Sequence, residues 1–407
     1  MKIDSYILLL FYPLLLIDSI NGFFLLHGSH LPVSQAYKLL LIVVVILRLS
    51  YMSRNLFLTV LFFLIYTIVQ IYLSMIIFQS STGETVGYLT NIFKFLLFVF
   101  SFLYFNKLLS LDLSIIQNIR NILTFNFVVV IFNLVLGLAG YGFPVYSIED
   151  GEVSIGVKGF FFAGNEISGV FIILSSLMIA FYLPKIKKPF YAYTALFVLF
   201  LFSATLATKT AIGGVFLISI VAVYLRKKYL DKTKIDLKNI FTLFFAVTSI
   251  SSGLIYFFLQ SAAFQRMSYY YENLSNILKF VLSGRDAFLS REWAVFTSKN
   301  SPVNFIIGGG RYISVEMDFF DTFFSYGIVG IIIVYGFYFY IIYFATKTFF
   351  KSNKDFFGIV VYLTVSLMLL QGFVAGHVIY SGMAGAFHGI LLVLSFFSFY
   401  QSQKERG

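Results

Sequence analysis

"YILLLFYPLLLIDSINGFFLL", residues 6–26, decides what kind of fold this chain can have. It carries one charged residue, Asp18, and one proline, Pro13, among side chains that are at home in hydrocarbon. A bilayer core of about 30 Å is crossed by roughly 18 or more such residues, and only helices or closed barrels satisfy their own backbone hydrogen bonds there. The run lacks a small-residue cleavage site, so it is expected to persist as a spanning helix and not to be removed as a leader. Counting this run, centred near residue 15, comparable ones follow near residues 43, 68, 98, 127, 175, 198, 217, 249, 332, 366 and 393, giving about 12 transmembrane helices. The fold class expected is all-α, a polytopic integral membrane protein, with residues 1–407 as a single transmembrane domain.

Composition agrees and removes several kinds of chemistry. Of 407 residues, 59% are hydrophobic and 12% charged, and the mean hydropathy is +0.90. These lie far outside the range of a soluble domain. With no cysteine there is no disulfide, no thiolate nucleophile and no Cys-based metal site, and 4 histidines leave little for a metal centre. No metal or cofactor is required.

The basic residues orient the bundle. With the N-terminus inside, the inner ends receive Lys2, Arg48, Arg54, Lys107, Arg120 and the runs "KIKK", "RKKYLDKTKIDLK", "KTFFKSNK" and "KER". Cytoplasmic loops are expected to be rich in Lys and Arg, so both termini are placed in the cytoplasm. The net charge of +11 then reflects loops facing anionic membrane lipids, and no nucleic acid partner is implied.

This orientation leaves one long outer segment, residues 261–318, between helices 9 and 10. It contains "SGRDAFLSREW", residues 283–293, two arginines and the chain's only tryptophan. Leu289, Trp293 and Phe296 fall at i, i+4 and i+7, a stripe suited to a helix in the headgroup zone, and Ser283 with Asp286 resembles a capping box at its start. Two further outer connections are polar: 140–171, "GYGFPVYSIEDGEVSIGVKGFFFAGNEISGVF", and 371–389, "QGFVAGHVIYSGMAGAFHG", which holds His377 and His388. His27 and His30 lie in the first outer loop.

Taken in order, "KGFFFAGNEISGVF", "LFSATLATKTA", "SGRDAFLSREW", "FIIGGGRYISVEMDFFDTFFSYGIVG" and "GHVIYSG" resemble the successive signatures of Wzy-type polysaccharide polymerases in the O-antigen ligase superfamily. The resemblance covers roughly residues 155 to 400, and the first five helices match in hydropathy alone. One position departs: where related proteins often have arginine, this chain has Lys209, which lacks the planar fork for bidentate binding.

The resemblance implies a GT-C-like bundle in the bacterial cytoplasmic (inner) membrane that polymerises undecaprenyl-diphosphate-linked oligosaccharide repeat units into O-antigen or capsular polysaccharide. Donor and acceptor would both be such lipids, with a chain-length regulator protein as a further partner. An O-antigen ligase acting on a lipid A core, or a flippase of the same lipid, is the alternative. A diphosphate at headgroup level needs fixed cations, and guanidinium offers paired donors, so Arg285 and Arg291 are expected to hold it. His377 is the expected base for the acceptor hydroxyl, with Glu316, Asp318 or Asp321 as alternatives. Arg311, Lys209, Asn165, Glu316 and Asp318 are expected substrate contacts.

Each residue also has a plainer role open to it. Arg285 and Arg291 can pair with Asp286 or Glu292, Asp318 and Asp321 can favour a helix N-terminus, and Asn165 and Glu166 can cap the sixth helix. His388 can be a buried contact between helices and Lys209 a snorkelling end residue. Gly308, Gly309 and Gly310 suit either an amide nest or a flexible turn. Tyr269, Tyr270 and Tyr271 can anchor the interface or stack on sugars.

Overall fold

The structure is a computed structural model that describes residues 2–148, 153–231, 282–298, 301–351 and 355–404. Its helices, in chain order, are α1 (Lys2–Leu10), α2 (Leu14–Leu26), α3 (Val33–Met52), α4 (Arg54–Tyr72), α5 (Thr82–Leu111) and α6 (Ile115–Leu138). A hairpin of β1 (Pro144–Ile148) and β2 (Val153–Val157) follows, antiparallel with Tyr146 opposite Ile155. Then come α7 (Gly164–Tyr182), α8 (Pro189–Thr205), α9 (Lys209–Leu225), α10 (Arg285–Ser298), α11 (Pro302–Ile307), α12 (Asp318–Lys351), α13 (Phe356–Val374), α14 (Gly385–Leu394) and α15 (Phe397–Lys404).

Among the described residues, nine helical segments are long and apolar enough to cross a membrane, and α8 and α14 are shorter apolar helices. Together they account for eleven of the expected spans; the one centred near residue 249 lies outside the described residues. The protein is an all-α polytopic membrane protein. Pro13 breaks the first span at Phe11–Pro13, because it lacks an amide proton for the helical ladder.

α7 is the central element, 83% buried across its span. Every residue of α14 is buried, which explains how a helix of ten residues, about 15 Å, serves inside the bundle without facing lipid. Gly389 lets it approach α5 closely, since an added Cβ would stand 2.8 Å from the Phe98 carbonyl oxygen. Small residues at such crossings matter in lipid, where no hydrophobic effect drives helix association. Buried polar pairs stitch the first helices: Asp4 takes a two-pronged bond from Arg48, 2.8 Å on each side, and Asp18 accepts from Ser34 and Lys38.

α12 is interrupted at Gly327, whose φ of +65° takes the chain out of helical geometry inside the span. Its first part, residues 318–326, packs with α10 and α11 into a second apolar cluster of Phe296, Val315, Met317 and Phe324, distinct from the main core. Trp293 stacks on Phe323 at 6.0 Å. Of the Leu289, Trp293 and Phe296 stripe, Phe296 is buried in this cluster and Leu289 packs against it, while Trp293 keeps an exposed face.

Candidate functional site at the converging helix starts

The first turns of α7, α9, α10 and α12 and the 375–384 connection come together on one side of the bundle, through side-chain contacts that span the whole chain. Asp318 begins α12 and is buried. Its Oδ1 accepts the amide of His377 at 2.8 Å, and its Oδ2 accepts the amides of Val378 and Ile379, each at 2.9 Å. Asp321, one turn on, accepts the amide of Val315 at 2.6 Å. Both carboxylates therefore fold connecting loops onto the start of α12, beyond any favourable effect of the helix dipole.

Glu166 does for α7 what Asp318 does for α12, but it does not cap the helix. Ala163 stands at the N-cap, with no side-chain cap bond. Glu166 instead reaches across to the 375–384 connection, where Oε2 accepts Ser381 Oγ at 2.7 Å and the amide of Met383 at 2.9 Å. Its Oε1 takes Nζ of Lys94 at 3.1 Å. Lys94 lies three turns inside α5 yet keeps 31% of its side chain accessible, so a polar recess extends from the helix starts into the bundle. Tyr312 lines the same recess beside Asn91 and Lys94, and its hydroxyl pKa is raised by burial and then by the charge of Asp321.

His377 sits between these two clamps, in electrostatic reach of both Glu166 and Asp318. Its φ is +60°, a left-handed conformation uncommon for a residue with a side chain. Its Nε2 is buried and has no hydrogen-bond partner among the described residues.

Arg285 opens α10 and donates from Nη2 to Glu316 Oε2 at 2.8 Å and from Nη1 to the Leu282 carbonyl at 3.3 Å. Asn165 Nδ2 approaches the same carboxylate oxygen at 3.5 Å. Lys209, at the start of α9, donates to Ser283 Oγ at 3.3 Å and feels the charge of Arg285. Ser283 itself has φ +55°, and α10 starts at Arg285, close to where the sequence placed it.

The structure thus brings Arg285, Glu316, Asn165, Lys209, Asp318 and His377 together. Arg291 stands apart, its side chain 68% exposed over Phe288 and 3.6 Å from Glu292. Arg311 points to the start of α5, 3.9 Å from Glu84. His388 is a buried interhelical contact, Nε2 to the Tyr338 hydroxyl at 3.1 Å. Gly308 and Gly310 permit close packing: a Cβ at Gly308 would stand 2.2 Å from the Ser325 carbonyl oxygen, and the Gly310 carbonyl accepts from Ser74 and Ser80. Tyr269, Tyr270 and Tyr271 lie outside the described residues.

Two cations have no counterpart among the site residues expected from the sequence: half-buried Lys94 and buried Lys158. Lys94 lies in "NIFKFLLFVF" and Lys158 in the hairpin's exit, where its Nζ donates to the Phe162 carbonyl at 2.7 Å and burial lowers its pKa. An ionisable residue inside an apolar span was the available signal for Lys94.

Residues 270–396 match a family model described as O-antigen ligase like membrane protein. The interval is just under a third of the chain and holds Arg285, Glu316, Asp318 and His377, while Lys94, Glu166 and Lys209 lie before it. No curated protein and no solved structure matches the chain. The chain is therefore a polytopic membrane protein with a region similar to O-antigen ligases, and that similarity points to glycan processing at a membrane.

Proposed function

We propose that the protein is a glycosyltransferase that polymerises undecaprenyl-diphosphate-linked oligosaccharide units at the outer face of the bacterial cytoplasmic membrane. The observation that carries this reading is the clustering at the helix starts of Arg285, bonded to Glu316 two residues before the Asp318 that holds the His377 backbone, with Lys209 beside Ser283. In the reaction, the acceptor hydroxyl attacks the donor's anomeric carbon and the bond from that carbon to the diphosphate oxygen breaks. Undecaprenyl diphosphate leaves with the electron pair. The acceptor proton passes to His377, an imidazole acting as general base. Arg285 and Lys209 offset the charge that grows on the leaving oxygen, where fixed cations lower the barrier most.

Asp318 has no free role as base in this scheme, because its oxygens are occupied by three amides. Glu316 holds Arg285 until diphosphate competes for the guanidinium. The description of the matching family favours a second reading, in which the same donor chain is handed once to a lipid A core. Purified protein given one lipid-linked repeat unit separates them by the masses of the products. A ladder of repeat lengths supports polymerisation; transfer only when a lipid A core is added supports ligation; intact substrate in both assays refutes transfer.

A further inference from the structure

We infer that Glu166, held by Lys94, is a positioning residue for His377: with Asp318 it clamps both ends of the loop that presents the unpartnered Nε2. The inference rests on the proposed transfer for its kinetic consequences, but its geometry stands without it.

Three features carry it. Asp318 grips the loop at residues 377–379 and Glu166 grips it at residues 381–383, so the two carboxylates bracket the turn at its opposite ends. At the Asp318 end of this loop the backbone holds two successive left-handed residues, Gly376 at φ +63° and His377 at φ +60°. A non-glycine residue in that region is strained and persists where its surroundings over-determine it, often at functional sites. Finally, Lys94 gives Glu166 a fixed rotamer and a counter-charge. A carboxylate at this depth without a cation would be strongly disfavoured.

The pair is also built as a support and not as a surface for substrate. Glu166 spends both oxygens on protein, one on Lys94 and one on Ser381 and Met383, and it is buried. A Cβ at Gly382 would stand 3.5 Å from Lys94 Cε and 3.8 Å from Glu166 Oε2, ordinary contact distances, so the loop runs directly over the pair. Displacement of a base by about 1 Å is enough to cost on the order of 10²-fold in rate.

The experiment uses the full-length protein in detergent and has two arms. In the first, His377 is modified with diethyl pyrocarbonate and followed by peptide mass, with the exposed His27 and His30 as internal controls. Glu166→Ala and Lys94→Met should speed modification of His377 at least several-fold and leave the controls unchanged, while Lys94→Arg, which keeps the ion pair, should behave as the native protein. In the second arm, Glu166→Gln should lower kcat on the order of 10²-fold while KM and the affinity for undecaprenyl diphosphate stay within about twofold. A merely structural pair would instead lower thermal stability and leave kcat per folded molecule unchanged. Native modification rates in both Glu166→Ala and Lys94→Met overturn the inference. Altered modification rates in a protein that transfers no sugar leave the positioning intact and refute only the transferase reading.

Discussion

Asp318 and His377 are joined backbone to side chain: the carboxylate at the start of α12 receives the His377 amide at 2.8 Å across 59 positions of sequence. The next two amides follow onto the same carboxylate. Asp318→Ala should therefore leave two buried amides and one part-buried amide without their acceptor. Unsatisfied buried groups cost about 1–3 kcal/mol each, so a loss of roughly 3 kcal/mol or more is expected in thermal or denaturant unfolding in detergent. Asp318→Asn, with one acceptor oxygen and an amide facing donors, should recover only part of it. Native stability in Asp318→Ala would show that the loop holds itself.

The two arginines of "SGRDAFLSREW" should no longer behave alike. Arg285 is 12% exposed and bonded into the recess, whereas Arg291 is 68% exposed on the far face of α10. Arg285→Ala should weaken binding of undecaprenyl diphosphate at least tenfold. Arg285→Lys should keep part of the affinity, since the charge remains while the fork is lost. Arg291→Ala should change it by less than about twofold, because an exposed pair contributes little. Isothermal titration of the three variants decides it, and equal losses at both positions would place diphosphate on the outer surface of α10.

What the sequence disclosed was set by what local patterns can encode. Apolar runs of sufficient length marked the spans because lipid demands them, and Pro13 announced its break. Arg285, Asn165, Glu316, Lys209 and His377 stood out because polar residues are conspicuous beside membrane spans. The clamps were hidden for the opposite reason: Glu166 and Asp318 act on amides 217 and 59 positions away, and backbone amides carry no residue-type signal. Arg291 was grouped with Arg285 by proximity in sequence, but a spacing of six residues in a helix of 3.6 residues per turn turns the two about 120° away from each other's face. In the sequence the hairpin β1–β2 reads as a connection, since each strand is only five residues long.

Topology is open to a direct test because the chain has no native cysteine. Ser290 and Ser298 lie on exposed surface of α10, while Ser325 is wholly buried beside the break in α12. Cysteine at 290 or 298 should react with a membrane-impermeant maleimide added to intact cells, and cysteine at 325 should stay unlabelled. Labelling at 298 only after permeabilisation would invert the orientation that the basic loops suggest.

Lys158 gives a pH test outside the spans. Burial lowers its pKa below the ordinary lysine value, so the unfolded chain binds this proton more tightly than the folded one. Stability rises with pH wherever the unfolded state holds more protons. The destabilising contribution is therefore complete below the lowered folded pKa and is relieved as pH climbs through it toward the ordinary lysine value of about 10.4. The bond from Nζ to the Phe162 carbonyl opposes this by rewarding the donor, but burial is the dominant influence on the group. Unfolding temperatures of the native protein and Lys158→Met, measured in one detergent at several alkaline pH values, should converge or cross as pH rises. The difference between them, native minus variant, should increase with pH across that window. A difference that stays flat would mean that Lys158 keeps its ordinary pKa in the fold, and one that falls would mean that the Phe162 carbonyl holds the ammonium more strongly than burial disfavours it.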